Sequence, residues 1–130
     1  MIISDKNEIY EHAFGCWITA FWGALKVYNP SLTLKVQKET FFTLLKEFLD
    51  EGQIVLLVPY SLYQKTPERD MYDCKGIWDV PHTEMISYMR THWPDGITDE
   101  NDLKLNDYFY SEYCPMIGWV DEEHQTIIVS

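Results

Sequence analysis

Cationic side chains are scarce in this chain. Ten lysines and arginines stand against twenty-one aspartates and glutamates, a formal net charge of −11 over 130 residues. That deficit excludes the basic stripe needed to hold a phosphate backbone or an anionic lipid surface, so neither nucleic acid nor membrane is an expected partner. Cysteine is also sparse: Cys16, Cys74 and Cys114 are odd in number, widely spaced and form no C-x-x-C pair. Such usage suits free thiols in a reducing, cytoplasmic compartment and argues against a disulfide framework. Long apolar runs are missing too. The longest, Ile54 to Pro59, is far below the ~20 residues that span a bilayer. The opening MIISDKNEIYEHAFGCW has no basic region followed by a continuous apolar stretch, so no signal peptide is expected. Gly15, Gly23, Gly52, Gly76, Gly96 and Gly118 are all isolated, which leaves no glycine-rich phosphate loop.

What is present is apolar and aromatic: 46% hydrophobic and 15% aromatic residues. This is ample for one domain with one core, with no structural metal or disulfide required. Charge is unevenly spread. Thr91 to Ser130 carries Asp95, Asp99, Glu100, Asp102, Asp107, Glu112, Asp121, Glu122 and Glu123 against Lys104 alone, and so contributes −8 of the −11.

Periodicity predicts an α+β fold with two long amino-terminal helices, a third helix, and a small antiparallel sheet that includes a carboxyl-terminal hairpin. Ser4 is placed to cap a helix from near Asp5 to about Tyr28, with Tyr10, Ala13 or Phe14, Trp17, Phe21 and Leu25 on one stripe; Asn29-Pro30 ends it. A second helix is expected over Leu34–Asp50, stopped by Gly52, and a buried strand over Gln53–Val58. Tyr60 to Ile77 loses all period and reads as a loop, with a short strand at most, and is long enough to be a binding surface. Asp79 is read as the cap of a third helix carrying Pro81 in its first turn and running to His92. Asn106–Tyr113 is expected as a short helix turning Tyr108 and Phe109 inward, closed by Pro115. Met116–Val120 and Gln125–Val129 form the hairpin.

Catalytic chemistry finds little footing. His12 and Cys16 are four apart, the spacing of one helix face, and would be the pair for a small thiol enzyme. Cys16 sits among Phe14, Trp17 and Ile18, however, and reads as a small buried thiol. His82, His92 and His124 are scattered singles, and with Glu8, His12 and Cys16 the only local grouping, no metal and no cofactor are expected. The trio Asp99, Glu100 and Asp102 lacks the calcium-loop spacing and reads as a solvated face. Trp17, Trp22, Trp78 and Trp93 read as packing residues, while Tyr60, Tyr63, Tyr72, Tyr110 and Tyr113 include candidates for exposed interface anchors.

An acidic surface attracts a basic macromolecule and speeds its encounter; it is equally an ordinary route to solubility. On the first reading, the partner-binding residues are Asp95, Asp99, Glu100, Asp102, Asp107, Tyr110 and Glu112, together with the turn Asp121, Glu122 and Glu123. The protein is then a monomer or weak homodimer. A self-associating regulatory module is the alternative.

Trp78-Asp79-Val80-Pro81, Trp93-Pro94, Tyr108-Phe109-Tyr110 and Gly118-Trp119-Val120 together resemble a small bacterial family catalogued as domain of unknown function number 596. The resemblance covers most of the chain. It implies an immunity protein of contact-dependent growth inhibition or a related polymorphic toxin system, which binds and neutralises a toxin domain in the cell that makes it. It carries no catalytic residue, and no binding position transfers with it. The acidic binding surface rests on charge alone.

Overall fold

A computed structural model describes residues 5–62 and 76–129. Among these residues, five helices pack with a three-stranded antiparallel sheet, as the α+β reading requires. In chain order these are α1 (Lys6–Ala13), α2 (Ile18–Tyr28), α3 (Leu34–Asp50), β1 (Ile54–Leu56), α4 (His82–His92), α5 (Leu103–Phe109), β2 (Ile117–Asp121) and β3 (Thr126–Val129), with a 3-10 turn at Tyr60–Leu62.

The first long helix is two helices. Its apolar stripe continues across the break, but Gly15 takes a left-handed φ of +77° that a residue with a Cβ rarely adopts, and Phe14 leaves the helical region. The cause lies on the middle strand. Trp119 is fully buried, and its indole N–H donates to the carbonyl of Cys16 at 2.8 Å, a group that an unbroken helix would have occupied. Tyr10 and Phe14 pack on the same indole at ring distances of 5.6 and 5.9 Å. The predicted Ser4 cap lies outside the described residues.

Helix α3 spans the predicted Leu34–Asp50. Thr33 caps it by accepting from the Val36 N–H, and bonds from Gly52 to Leu49 and from Gln53 to Phe48 close its end. Its buried face carries Phe41, Leu44, Leu45 and Phe48, and also Gln37, whose amide donates to the Trp22 carbonyl at 3.2 Å. Helix α4 runs antiparallel to it, since Arg90 forks onto Glu39 at 3.0 and 2.8 Å near one end and His82 meets Asp50 at 2.7 Å at the other. Asp79 does not cap α4; Pro81 holds that position without a side-chain bond. The reason is upstream: Val58 donates to the Gly76 carbonyl and Trp78 donates to that of Leu56, so the chain is still pinned along the free edge of β1 when it passes Asp79. The short strand allowed for the loop is thus an isolated bridge, Leu57 to Ile77. Residues 63–75 of that loop, with Tyr63, Tyr72 and Cys74, lie outside the described residues.

The sheet order is β1-β2-β3, with Trp119 opposite Ile54 on one side and Ile128 on the other. Next to it, Gly118 lies where a Cβ would stand 2.8 Å from a methyl of Val55 and 2.8 Å from one of Ile127. Both neighbours are β-branched and stiff at χ1, so neither can swing away cheaply. We predict that Gly118→Ala costs about 1–3 kcal/mol through overpacking. An unchanged urea midpoint would show that the strands part without strain.

Candidate functional site

The acidic segment folds as a turn, a loop and α5, and its carboxylates divide into two groups. Asp102 stays partly open to solvent and also has a structural task. One oxygen accepts the Lys104 N–H at 2.9 Å and so caps α5, while the other accepts the N–H and hydroxyl of Thr98, both at 3.3 Å. These donors, Lys104 first, hold its pKa below the usual carboxylate range. Asp99 accepts the Asn101 N–H at 2.7 Å and shapes the same loop. Glu100 is tethered twice. Its side chain meets Lys26 at 3.3 Å, and its carbonyl accepts the indole N–H of Trp22 at 3.1 Å. Asp102 serves the first amides of a short helix entered from a loop, Asp99 shapes that loop, and Glu100 ties it to α2.

The second group points outward. Asp95, Asp107 and Glu112 are exposed, as are Glu122 and Glu123, and among the described residues none of these forms an ion pair. Asp121 is half-buried and holds His124 at 2.7 Å, which lowers its pKa. The hairpin turn acts on a different element from α5. Burial raises the Tyr10 pKa, and the charges of Glu122 and Asp121 raise it further, which places the turn beside α1.

Beside α5 the surface is aromatic. Tyr110 is 55% exposed and Trp17, read from sequence as packing, is 39% exposed; their rings lie 5.4 Å apart, tilted by 48°. The Tyr110 hydroxyl reaches the Thr19 hydroxyl at 3.5 Å. Next to the pair opens a cleft of about 210 Å³, lined among others by Ile18, Phe109, Cys114 and Met116. Leu103 and Tyr113, from the same acidic stretch, are exposed as well. The helix break explains why the sequence pattern misplaces Trp17 and its neighbour Cys16. It turns Cys16 and Trp17 out of the core, so Cys16 is exposed rather than buried. Gly15, inside an otherwise continuous stripe, is the available signal.

Two other clefts are more polar. One of about 420 Å³ lies between α2 and α5 and includes Glu100 and Asp102; another, of about 360 Å³, joins Lys35, Lys38, Arg90 and Asp95. His12 and Cys16 do not share a helix face, because α1 ends between them; His12 instead meets the edge of Tyr28 at 5.7 Å. Among the described residues no group of three or more His, Cys, Asp or Glu could hold a metal ion, and no helix is long and apolar enough to cross a membrane.

No family model and no curated protein matches this sequence. Among solved structures, the fold is similar to that of an uncharacterised protein conserved in bacteria, from Neisseria meningitidis. The TM-score is 0.67 at 20% identity, over 95% of this chain and 84% of that one. At that identity the likeness speaks for the fold alone.

Asp102 has a depressed folded pKa, so its contribution to stability is fully present above the unfolded carboxylate value of about 3.9 and is lost as pH falls through the folded value. Wild type should therefore exceed Asp102→Ala in urea midpoint at pH 7, with the gap closing in strong acid; a gap independent of pH would remove the charged cap. The thiols should separate in the folded state. Cys16 is open to reagent, whereas burial pushes the Cys114 thiol up to about 12. Brief alkylation at pH 8 followed by peptide mass mapping should mark Cys16 and spare Cys114 until denaturant is added.

Proposed function

We propose that this chain is a cytoplasmic immunity protein that binds and neutralises a cognate toxin domain with a basic surface. The observation that carries the reading is an aromatic pair, Trp17 and Tyr110, left open to solvent beside carboxylates that have no cationic partner among the described residues. Tryptophan and tyrosine are the side chains that anchor protein interfaces, and unpaired surface carboxylates steer a basic partner towards them. A nuclease toxin is one such partner, since it must be cationic to hold its substrate backbone. The resemblance of the sequence to the immunity-protein family supports the same reading.

The face so defined comprises Trp17, Asp107, Tyr110 and Glu112, whereas Asp95 lies in the separate cleft that holds Lys35, Lys38 and Arg90 and adds only to the long-range field. Asp99, Glu100 and Asp102 support it by fixing the loop. The turn Asp121 to Glu123 contributes to the long-range field and lies beside α1. Self-association through this face is disfavoured, because a two-fold contact would set its carboxylates against their own copies. A thiol enzyme would need His12 and Cys16 together, and the break between α1 and α2 removes the helical spacing that would join them.

The test is capture of the product of the neighbouring reading frame by the tagged protein across a salt series. A basic toxin fragment should be captured and should elute as salt rises, and co-expression should restore growth. With that fragment, Asp107→Lys/Glu112→Lys should slow association about ten-fold and flatten its salt dependence. Trp17→Ala/Tyr110→Ala should instead speed dissociation by at least about ten-fold. If association and dissociation are unmoved in both variants, this face is not the interface.

A further inference from the structure

We infer that the cleft beside Trp17 and Tyr110 is a slot for one arginine side chain of the partner; this rests on the partner-binding reading above. Size sets the first limit. At about 210 Å³ the cleft is smaller than the ~300–1,000 Å³ of sites that enclose small molecules, and it suits a single side chain. Its chemistry sets the second. Ile18, Phe109 and Met116 offer apolar surface to a methylene stem, and the two tilted rings offer aromatic faces to a planar cation. Charge sets the third. Asp107 lies one helical turn before Tyr110, on the same side of α5, and Glu112 follows two residues after it; neither lines the cleft itself, and both are exposed and, among the described residues, without an ion-pair partner.

The molecule already holds one arginine in this manner. The guanidinium of Arg90 lies 4.5 Å from the centre of the Phe42 ring while forking onto Glu39. An aromatic face and a carboxylate thus suffice to order an arginine at the surface of this fold. Lysines also reach rings in this fold, Lys6 over Phe48 at 5.7 Å and Lys38 over Trp93 at 5.6 Å, but they stand farther off than the 4.5 Å of Arg90, as a compact, strongly hydrated ammonium does compared with a planar guanidinium. An anionic side chain is repelled by the same carboxylates. The lysines of α2 and α5 are directed elsewhere: Lys26 pairs with Glu100, and the Lys104 ammonium lies against Gly96.

The slot can be tested without the natural partner, using the full chain and capped tripeptides Gly-Arg-Gly, Gly-Lys-Gly and Gly-Leu-Gly. NMR titration would follow the Trp17 indole and Tyr110 ring signals. The arginine peptide should shift both, saturably, and bind about five-fold more tightly than the lysine peptide. Glu112→Gln should weaken it, whereas Glu8→Gln, an exposed carboxylate on α1, should not. Trp17→Ala should abolish the response at Tyr110; Trp17→Phe, which keeps a ring, should retain part of it. Equal or tighter binding of the leucine peptide would make this an apolar pocket, and undisturbed Trp17 and Tyr110 signals would remove the slot. If the arginine peptide fails while a basic partner is still captured in a salt-dependent way, the slot falls and the immunity reading stands. If the peptide binds and no partner is captured, the reverse holds.

Discussion

The rest of this structure depends on one hydrogen bond, from the buried indole of Trp119 to the backbone carbonyl of Cys16. A fully buried tryptophan contributes a large apolar area, but its N–H must be satisfied or the burial is offset by the cost of an orphaned donor. The acceptor comes from the opened corner between α1 and α2. Breaking the helix costs intrahelical bonds; against that loss, the corner lets Tyr10 and Phe14 pack on the indole and the middle strand sit flush beneath the helices. The same corner turns Trp17 outward. Core packing and surface chemistry are therefore coupled through a handful of neighbouring residues.

Other aromatic side chains repeat the device. Trp22 donates to the Glu100 carbonyl, Tyr10 to that of Gln53 and Tyr108 to that of Met89. Each fastens a helix to a loop or helix distant in sequence. The acidic loop is held in this way, by a neutral donor from the core and by its own carboxylates. Acidity in this segment thus has two physical uses: Asp99 and Asp102 build backbone, and Asp95, Asp107 and Glu112 shape the external field.

Most elements are legible in the sequence because their periods are clean. Helix α3, strand β1 and the terminal hairpin fall within a residue or two of expectation. The first helix misleads because an apolar stripe reports which residues are buried and not whether the backbone between them is continuous. Only Gly15 hints at the corner, and the acceptor for Trp119 is a contact across 103 residues that no local pattern encodes. The α5 cap is hidden differently. Asp102 lies in a run so rich in Asp and Asn that every position resembles a cap, and the helix starts at Leu103, three residues before the predicted Asn106. Exposed Tyr110 and the outward carboxylates are legible as candidates, whereas Trp17 is not. Its exposure follows from a tertiary hydrogen bond one residue away.

That exposure has an optical consequence. Trp22, Trp78 and Trp119 are enclosed by the core and Trp93 is half-covered, while Trp17 alone among them meets solvent at the face where a partner would sit. A small aqueous quencher reaches Trp17 first and the half-covered Trp93 after it, so the most readily quenched part of the intrinsic fluorescence reports on the Trp17 surface. The enclosed indoles report separately on the integrity of the fold. The chain carries both a surface probe and its internal reference without any label.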